Sequence, residues 1–215
     1  MARAEPAARP GGTRESILEA AERLFAERGF AATSVRDIVG EAGTSAPSLY
    51  HFFGSKESLA VELIKDRHTA YCDALESDLA LAATPFEVCH RFVTFVLTNM
   101  TGKPTTAKFL LGIMFGPRQN VPAEVVGETL MRSSQILQER LRQVADGVSE
   151  SRVVFARMML IGMVTPAVLL FLTSGVHSFP AKLPECIAHR VVEMLGDSHP
   201  TCAWPNVTAP ERNRP

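Results

Sequence analysis

Residues 13–63 read TRESILEAAERLFAERGFAATSVRDIVGEAGTSAPSLYHFFGSKESLAVEL. Ile17, Ala20, Ala21, Leu24 and Phe25 recur at the spacing of one helical face, so the first segment is an amphipathic helix with a single apolar stripe. Thr13 is placed to cap that helix and Gly29 to end it. In the second segment Ser34 precedes Asp37 by three residues, the spacing of a reciprocal cap, and Val35, Ile38, Val39 and Ala42 form the buried side before Gly43 stops the helix. Ser45 caps a third helix almost at once. Pro47 is tolerated in its first turn, where the missing N–H has no intrahelical partner, and Leu49 and Phe53 point back toward the core. Two short helices joined by the turn Gly43-Thr44-Ser45, the outer face of the second polar and aromatic, have the grammar of a helix-turn-helix.

Working outward, Ser55 caps a fourth, longer helix through Leu59, Leu63 and Ile64, expected to run to around Ala80. Pro85 opens another helical run through Phe86, Val88, Phe92, Val93, Val96 and Leu97, broken by Thr101-Gly102-Lys103-Pro104. Further helices are expected over residues 108–115, 124–144 after Pro122, 151–173 before Gly175, and 184–195 before Gly196. No segment alternates at period two for long enough to argue a sheet, so the chain reads as all-α. The expected organisation is a tail over 1–12, a helix-turn-helix DNA-binding domain over 13–58, a larger helical ligand-binding and dimerisation domain over 59–196, and a loose Pro-rich tail over 197–215.

The runs Ile17 to Phe30 (ILEAAERLFAERGF), Ala32 to Ile38 (ATSVRDI), Glu41-Ala42-Gly43 and Leu49 to Glu57 (LYHFFGSKE) resemble the DNA-binding domain of tetracycline-repressor-type (TetR/AcrR) regulators. Several linked elements recur in order at the right spacing, which makes the match far more specific than a lone helix-turn-helix pattern. It covers about a quarter of the chain, and the rest carries no comparably specific motif. The resemblance implies a homodimer whose last two long helices pack against their copies. Here that means the faces around Phe155 to Leu172 and Ile187 to Leu195. It also implies a repressor on a two-fold operator that releases DNA when a small, hydrophobic effector binds.

At 215 residues the chain can bury a sizeable core, and its length suits one small domain and one larger one. The net charge of -1 lacks the basic surplus usual in nucleic-acid binders, so the DNA reading rests on motif and on local placement of Arg14, Arg36 and Lys56. The first twelve residues are rich in Ala, Pro, Gly and Arg without an apolar core, which reads as a mobile tail and favours a cytoplasmic protein. Arg3 and Arg9 as minor-groove arms are the weaker reading of that tail. Cys72, Cys89, Cys186 and Cys202 contain no C-x-x-C pair and read as buried hydrophobes or surface thiols. Asn206-Val207-Thr208 matches a glycosylation acceptor by chance. The uncharged run Met158 to Leu172 is too short for a membrane span and contains Pro166, so a core or interface helix is expected.

A helix-turn-helix divides its contacts into those that position and those that specify. Tyr50 offers a phenol to a phosphate. Lys56, at a helix N-terminus that disfavours its charge, is well placed for a phosphate too. Thr33 and Ser34 lie where free N–H groups and hydroxyls can bind an anion, although Ser34 also has its capping role. Arg36 in the second helix is a candidate for guanine, the base that offers two acceptors on one major-groove edge; an arginine paired with a nearby carboxylate is the competing reading. Ser45 opens the recognition helix; Ala46 and Pro47 suit a thymine methyl, and Ser48 suits several bases. His51 donates to a base or phosphate, or simply faces solvent. Phe52 stands where many relatives have His or Tyr, and it cannot bond a phosphate.

In the larger domain, Phe92, Phe95, Phe109, Met114, Phe115, Met159 and Met163 are expected to line an adaptable apolar pocket, with Asn99 or Arg118 as polar anchors. An ordinary packed core is the competing reading for each. An enzyme is the rival class: there is no G-x-S-x-G elbow and no H-E-x-x-H, and Gly54-Ser55-Lys56 lacks the upstream glycine of a phosphate loop. Cys89-His90 cannot begin a metal site, because adjacent helical residues face different ways. No catalytic residue, metal or cofactor is expected. The remaining alternative is a helical protein-interaction module of the same fold that has lost DNA binding.

Overall fold

The computed structural model describes residues 12–115, 123–174 and 178–196. Among them the chain forms α1 (Gly12–Arg28), α2 (Val35–Ala42), α3 (Ala46–Phe53), α4 (Lys56–Leu79), α5 (Pro85–Gly102), α6 (Pro104–Phe115), α7 (Ala123–Val144), α8 (Glu150–Thr173) and α9 (Leu183–Leu195), with no strand. The two tails and Arg118 lie outside the described residues, as do the side chains of Met114 and Phe115.

The local signals at the N-terminal helices act as expected. Ser34 Oγ accepts from the Asp37 amide at 3.2 Å while the Asp37 carboxylate accepts from the Ser34 amide at 2.9 Å, closing the capping box. Ser45 and Ser55 cap α3 and α4 through the amides of Ser48 and Ser58. Gly43 ends α2 in the left-handed region at φ 65°, where a side chain would be strained, and the Thr44 amide closes the turn on Val39 O at 2.9 Å. Thr13 is a correction: α1 already begins at Gly12, so Thr13 lies inside the first turn and caps nothing. The helix of residues 108–115 likewise starts earlier, at Pro104, because Pro at the first position is compatible with the helix it opens.

Two apolar clusters organise the molecule. The first joins Ile17, Leu24 and Phe25 of α1 to Ile38, Leu49 and Phe53, and is completed by Leu59, Leu63 and Ile64 of α4 and by Phe109 and Leu110 of α6. A domain boundary after residue 58 therefore cuts through that core, since three turns of α4 belong to it. The second cluster centres on Val88, Cys89, Phe92 and Val93 of α5, packed by Leu137 and Leu141 of α7, by Leu160, Val164 and Val168 of α8, and by Ile187, Val191 and Leu195 of α9. Helix α4 runs through both, ending in the second with Leu75 and Leu79.

That second cluster takes up the apolar stripe of α9. Ile187, Val191 and Leu195 are buried within the protomer because α9 lays its stripe on α5 and α8. Outside the helix-turn-helix, the exposed large apolar side chains among the described residues are Met158, Leu169 and Leu170 on α8, Met131 on α7 and Leu81 just after α4. Length also fails as the argument against a membrane span. Among the described residues α8 alone, at 24 residues, is long and apolar enough to cross one. Its stripe Val153, Ala156, Leu160, Val164 and Val168 nevertheless lies in the protein core.

Candidate nucleic-acid interface and effector cavity

The outer face of α3 follows from its inner one. With Leu49 and Phe53 buried, Ser45, Pro47, Tyr50, His51 and Phe52 are left exposed and Ala46 and Ser48 half-buried, so the expected readout residues of this helix form one continuous surface. Ser45 Oγ and Ser48 Oγ lie 2.9 Å apart, which stiffens the N-terminal edge of that surface. Tyr50 is half exposed, and His51 meets the Phe52 ring edge-on at 5.3 Å. Phe52 thus adds an exposed apolar ring to the face, the contact type that suits a sugar or a thymine methyl.

The cations of this unit are mostly committed internally. Arg14 pairs with Glu62 and lies over the Phe53 ring, and Arg23 pairs with Glu41 at 2.9 Å. Lys56 donates to the carbonyls of Phe30 at 3.0 Å and Thr33 at 2.8 Å and sits 4.2 Å from the centroid of the Phe30 ring, so two of its three N–H groups clamp the α1–α2 loop and one remains. Arg36 is exposed and makes no ion pair among the described residues. Its charge, with that of Arg28, helps hold the Asp37 carboxyl below its ordinary range, behind the larger effect of the two Ser34 hydrogen bonds.

Thr33 is a correction. It is buried, its hydroxyl sits 2.9 Å from Gly29 O and 3.3 Å from Leu24 O, and its amide donates to Phe30 O, leaving nothing for an anion. The apolar neighbourhood of α1 claims it, because a β-branched residue with an inward hydroxyl closes the loop between two helices. Ser34 remains exposed, with its hydroxyl engaged by Asp37.

Beyond the reader, a cavity of about 150 Å³ lies among α4 to α8. Its walls are His68 and Tyr71 from α4, Phe92, Val96 and Met100 from α5, Leu110 and Leu111 from α6, Ser133 and Ser134 from α7, and Ile161, Val164, Thr165 and Val168 from α8. Of the expected lining whose side chains are described, only Phe92 is there. Phe109 is next to Leu110 on α6 but turns toward the reader's core, where it stacks at 6.0 Å on Phe25. Phe95 and Asn99 line a separate groove of about 530 Å³, larger but open to solvent along α5, and Asn99 donates back to Phe95 O. Met159 and Met163 are half-buried on another face of α8. Long apolar helices offer more than one plausible stripe, and composition favoured the sulfur and aromatic residues over the Ile161, Val164, Thr165, Val168 row, whose helical spacing was the available signal.

The cavity is mainly apolar with a polar edge. Burial, and then the charge of Arg132, push the His68 imidazole below its usual range, so it stays neutral near pH 7. Its ring lies 3.5 Å from Cys72 Sγ, whose thiol burial pushes up to about 11 and keeps protonated. Tyr71 is likewise raised by burial and remains a phenol.

The two units are joined by polar bonds as well as by Phe109. Glu22 of α1, nearly buried, accepts from Arg67 Nε of α4 at 3.0 Å and from the Thr106 hydroxyl of α6. Arg67 also reaches Glu15 at 3.3 Å.

Comparison with known proteins matches residues 17–63 to the family described as bacterial regulatory proteins, tetR family. The HTH-type transcriptional regulator LmrA of Bacillus subtilis is 28% identical over 181 residues, covering 82% of this chain and 95% of the relative. The uncharacterized HTH-type transcriptional regulator YxaF of the same organism is 30% identical over 152 residues, 70% of this chain and 71% of the relative. The chain belongs to the tetR family. As a tetR-family protein it is a DNA-binding transcriptional regulator, and the matched segment coincides with the α1–α4 core described above. A shorter match, 44% identical over 77 residues, joins 34% of this tetR-family chain to 38% of the HTH-type transcriptional repressor KstR2 of Rhodococcus jostii. Among solved structures, the regulator FadR of Bacillus subtilis, in complex with stearoyl-CoA, superposes with a TM-score of 0.69 at 20% identity over 85% of this chain and 99% of that one, which shows the shared two-part fold.

Proposed function

We propose that this protein is a homodimeric repressor that releases a two-fold operator when a small molecule enters the α4–α8 cavity. The observation that carries the reading is the double role of α6. Leu110 and Leu111 wall the cavity, while Phe109 and Thr106 on the same helix hold α1 of the reader. A guest that displaces α6 acts on the reader without touching it. To shift the equilibrium, the effector must bind the DNA-incompetent arrangement more tightly, since equal affinity for both moves nothing.

The names of relatives support the direction: one is a repressor, and the FadR structure carries an acyl-CoA. In the reader, Arg36 is the base-reading side chain, Tyr50 and His51 contact the backbone, and Lys56 contributes its remaining N–H. The second subunit packs on the exposed face of α8. Operator sequences recovered by selecting random duplexes with the purified protein test the reading, and the motif is expected to be two-fold symmetric. Met158→Asp with Leu170→Asp should halve the mass in sedimentation and abolish tight binding to that motif. A helical interaction module lacking DNA binding would enrich no sequence even in low salt.

A further inference from the structure

Beside the cavity lies a charge that nothing among the described residues balances. Arg157 stands on α8 one turn before Ile161 and two before Thr165, both of which line the cavity, and reaches the wall through Ser134. Its Nη1 donates at 2.6 Å to the hydroxyl of Ser134, itself a wall residue and nearly buried. A hydroxyl is a neutral partner. No carboxylate among the described residues pairs with this guanidinium, and its Nε is buried without an acceptor. The neighbouring cation on α7 differs: Arg132 is matched by Asp73 at 3.1 Å. His68 is kept neutral. A half-buried guanidinium whose Nε lacks a partner is costly to hold beside an apolar cavity, and an oxyanion removes that cost through charge-assisted hydrogen bonds in a geometry that lysine cannot match.

We propose that the effector is a compact organic carboxylate, its acid group held by Arg157 together with Ser134 and its apolar body enclosed by Phe92, Leu110, Ile161 and Val168. This rests on the reading of the cavity as the effector site and names the chemistry it selects. Size guides the choice of body: about 150 Å³ is the volume of a cavity that encloses one benzene ring, so a single ring or a chain of about six carbons fills it. Of the polar anchors expected from sequence, Asn99 plays no part, since it lines the other groove, and Arg118 lies outside the described residues.

The test is calorimetric titration of the full chain with benzoate, phenylacetate and hexanoate, each beside its neutral methyl ester. At least one carboxylate should bind tenfold or more tightly than its ester, as a charge-assisted pair requires. Arg157→Gln should erase that preference, Arg157→Lys should keep part of it, and Ser134→Ala should weaken it less. Melting curves of the variants verify folding, and if Arg157→Gln fails to fold, the Arg157→Lys and Ser134→Ala comparison decides. Esters binding as well as acids, acid binding indifferent to Arg157, or no acid binding at millimolar concentration would each overturn the carboxylate assignment. Operator affinity is read separately. Arg157-dependent acid binding without operator release would leave this assignment standing and remove the regulatory reading, whereas ester-driven release would do the reverse.

Discussion

The reader and the cavity domain are built from the same kind of helix but held in different ways. In the reader, side-chain caps at Ser34, Ser45 and Ser55 start the two eight-residue helices and α4, which close on a small core and tie most of their cations to Glu62, Glu41 and two loop carbonyls. In the cavity domain, helices of up to 24 residues surround a cavity beside an arginine with no counter-ion among the described residues. The first is internally satisfied; the second is left incomplete, as a site that must gain free energy from a guest has to be. Helix α6 is the piece that belongs to both, and most ways to test the contrast pass through it.

The largest effect is expected from Phe109→Ala. Removing a fully buried ring stacked on Phe25 should cost about 3–5 kcal/mol of stability by urea denaturation, whereas Met163→Ala on the half-exposed face of α8 should stay within about 1 kcal/mol. Equal losses would mean that α6 is no part of the reader's core. Next comes Arg67→Ala, which strands Glu22 at the junction. A fully buried pair would cost about 3–5 kcal/mol, and Arg67, with 23% of its side chain exposed, should cost about 2–3. The accompanying loss of effector response, measured on the operator, shows whether the junction transmits anything.

Arg36→Ala should leave stability unchanged. It should cost about 1–3 kcal/mol of discrimination at one base pair in competition binding, because this cation is not committed inside the reader. Arg14→Ala, paired with Glu62, should leave base preference intact; if the two variants behaved alike, the division between tied and free cations would be wrong.

The smallest effect lies in the α2 capping box. Ser34→Ala should cost about 1 kcal/mol. Hydrogen bonds from Ser34 hold the Asp37 carboxyl below its ordinary value, so the stability it contributes is fully present above pH 3.8 and is lost as pH falls through the lower folded value. Amide exchange at the start of α2 should accelerate over that range in the native protein and show no such step in Asp37→Asn.

The sequence by itself determined the helices of the described residues and almost all their ends. It also determined the face of α3 turned outward. Caps, Gly43 and the apolar spacing act between residues at most four or five apart, so no distant partner is needed to read them. Only the tertiary structure decided which side of a longer helix meets which neighbour. Phe109 and Leu111 are two residues apart, yet one enters the reader and the other walls the cavity. Val191 and Leu195 satisfy any apolar face, and the docking of α9 on α5 and α8 made it the core. Thr33 turned inward for the same reason, and Arg157 found Ser134 only because α7 packs beside α8. A helix apolar on more than one side, such as α8, has several stripes of similar burial energy. Packing against the rest of the chain selects among them.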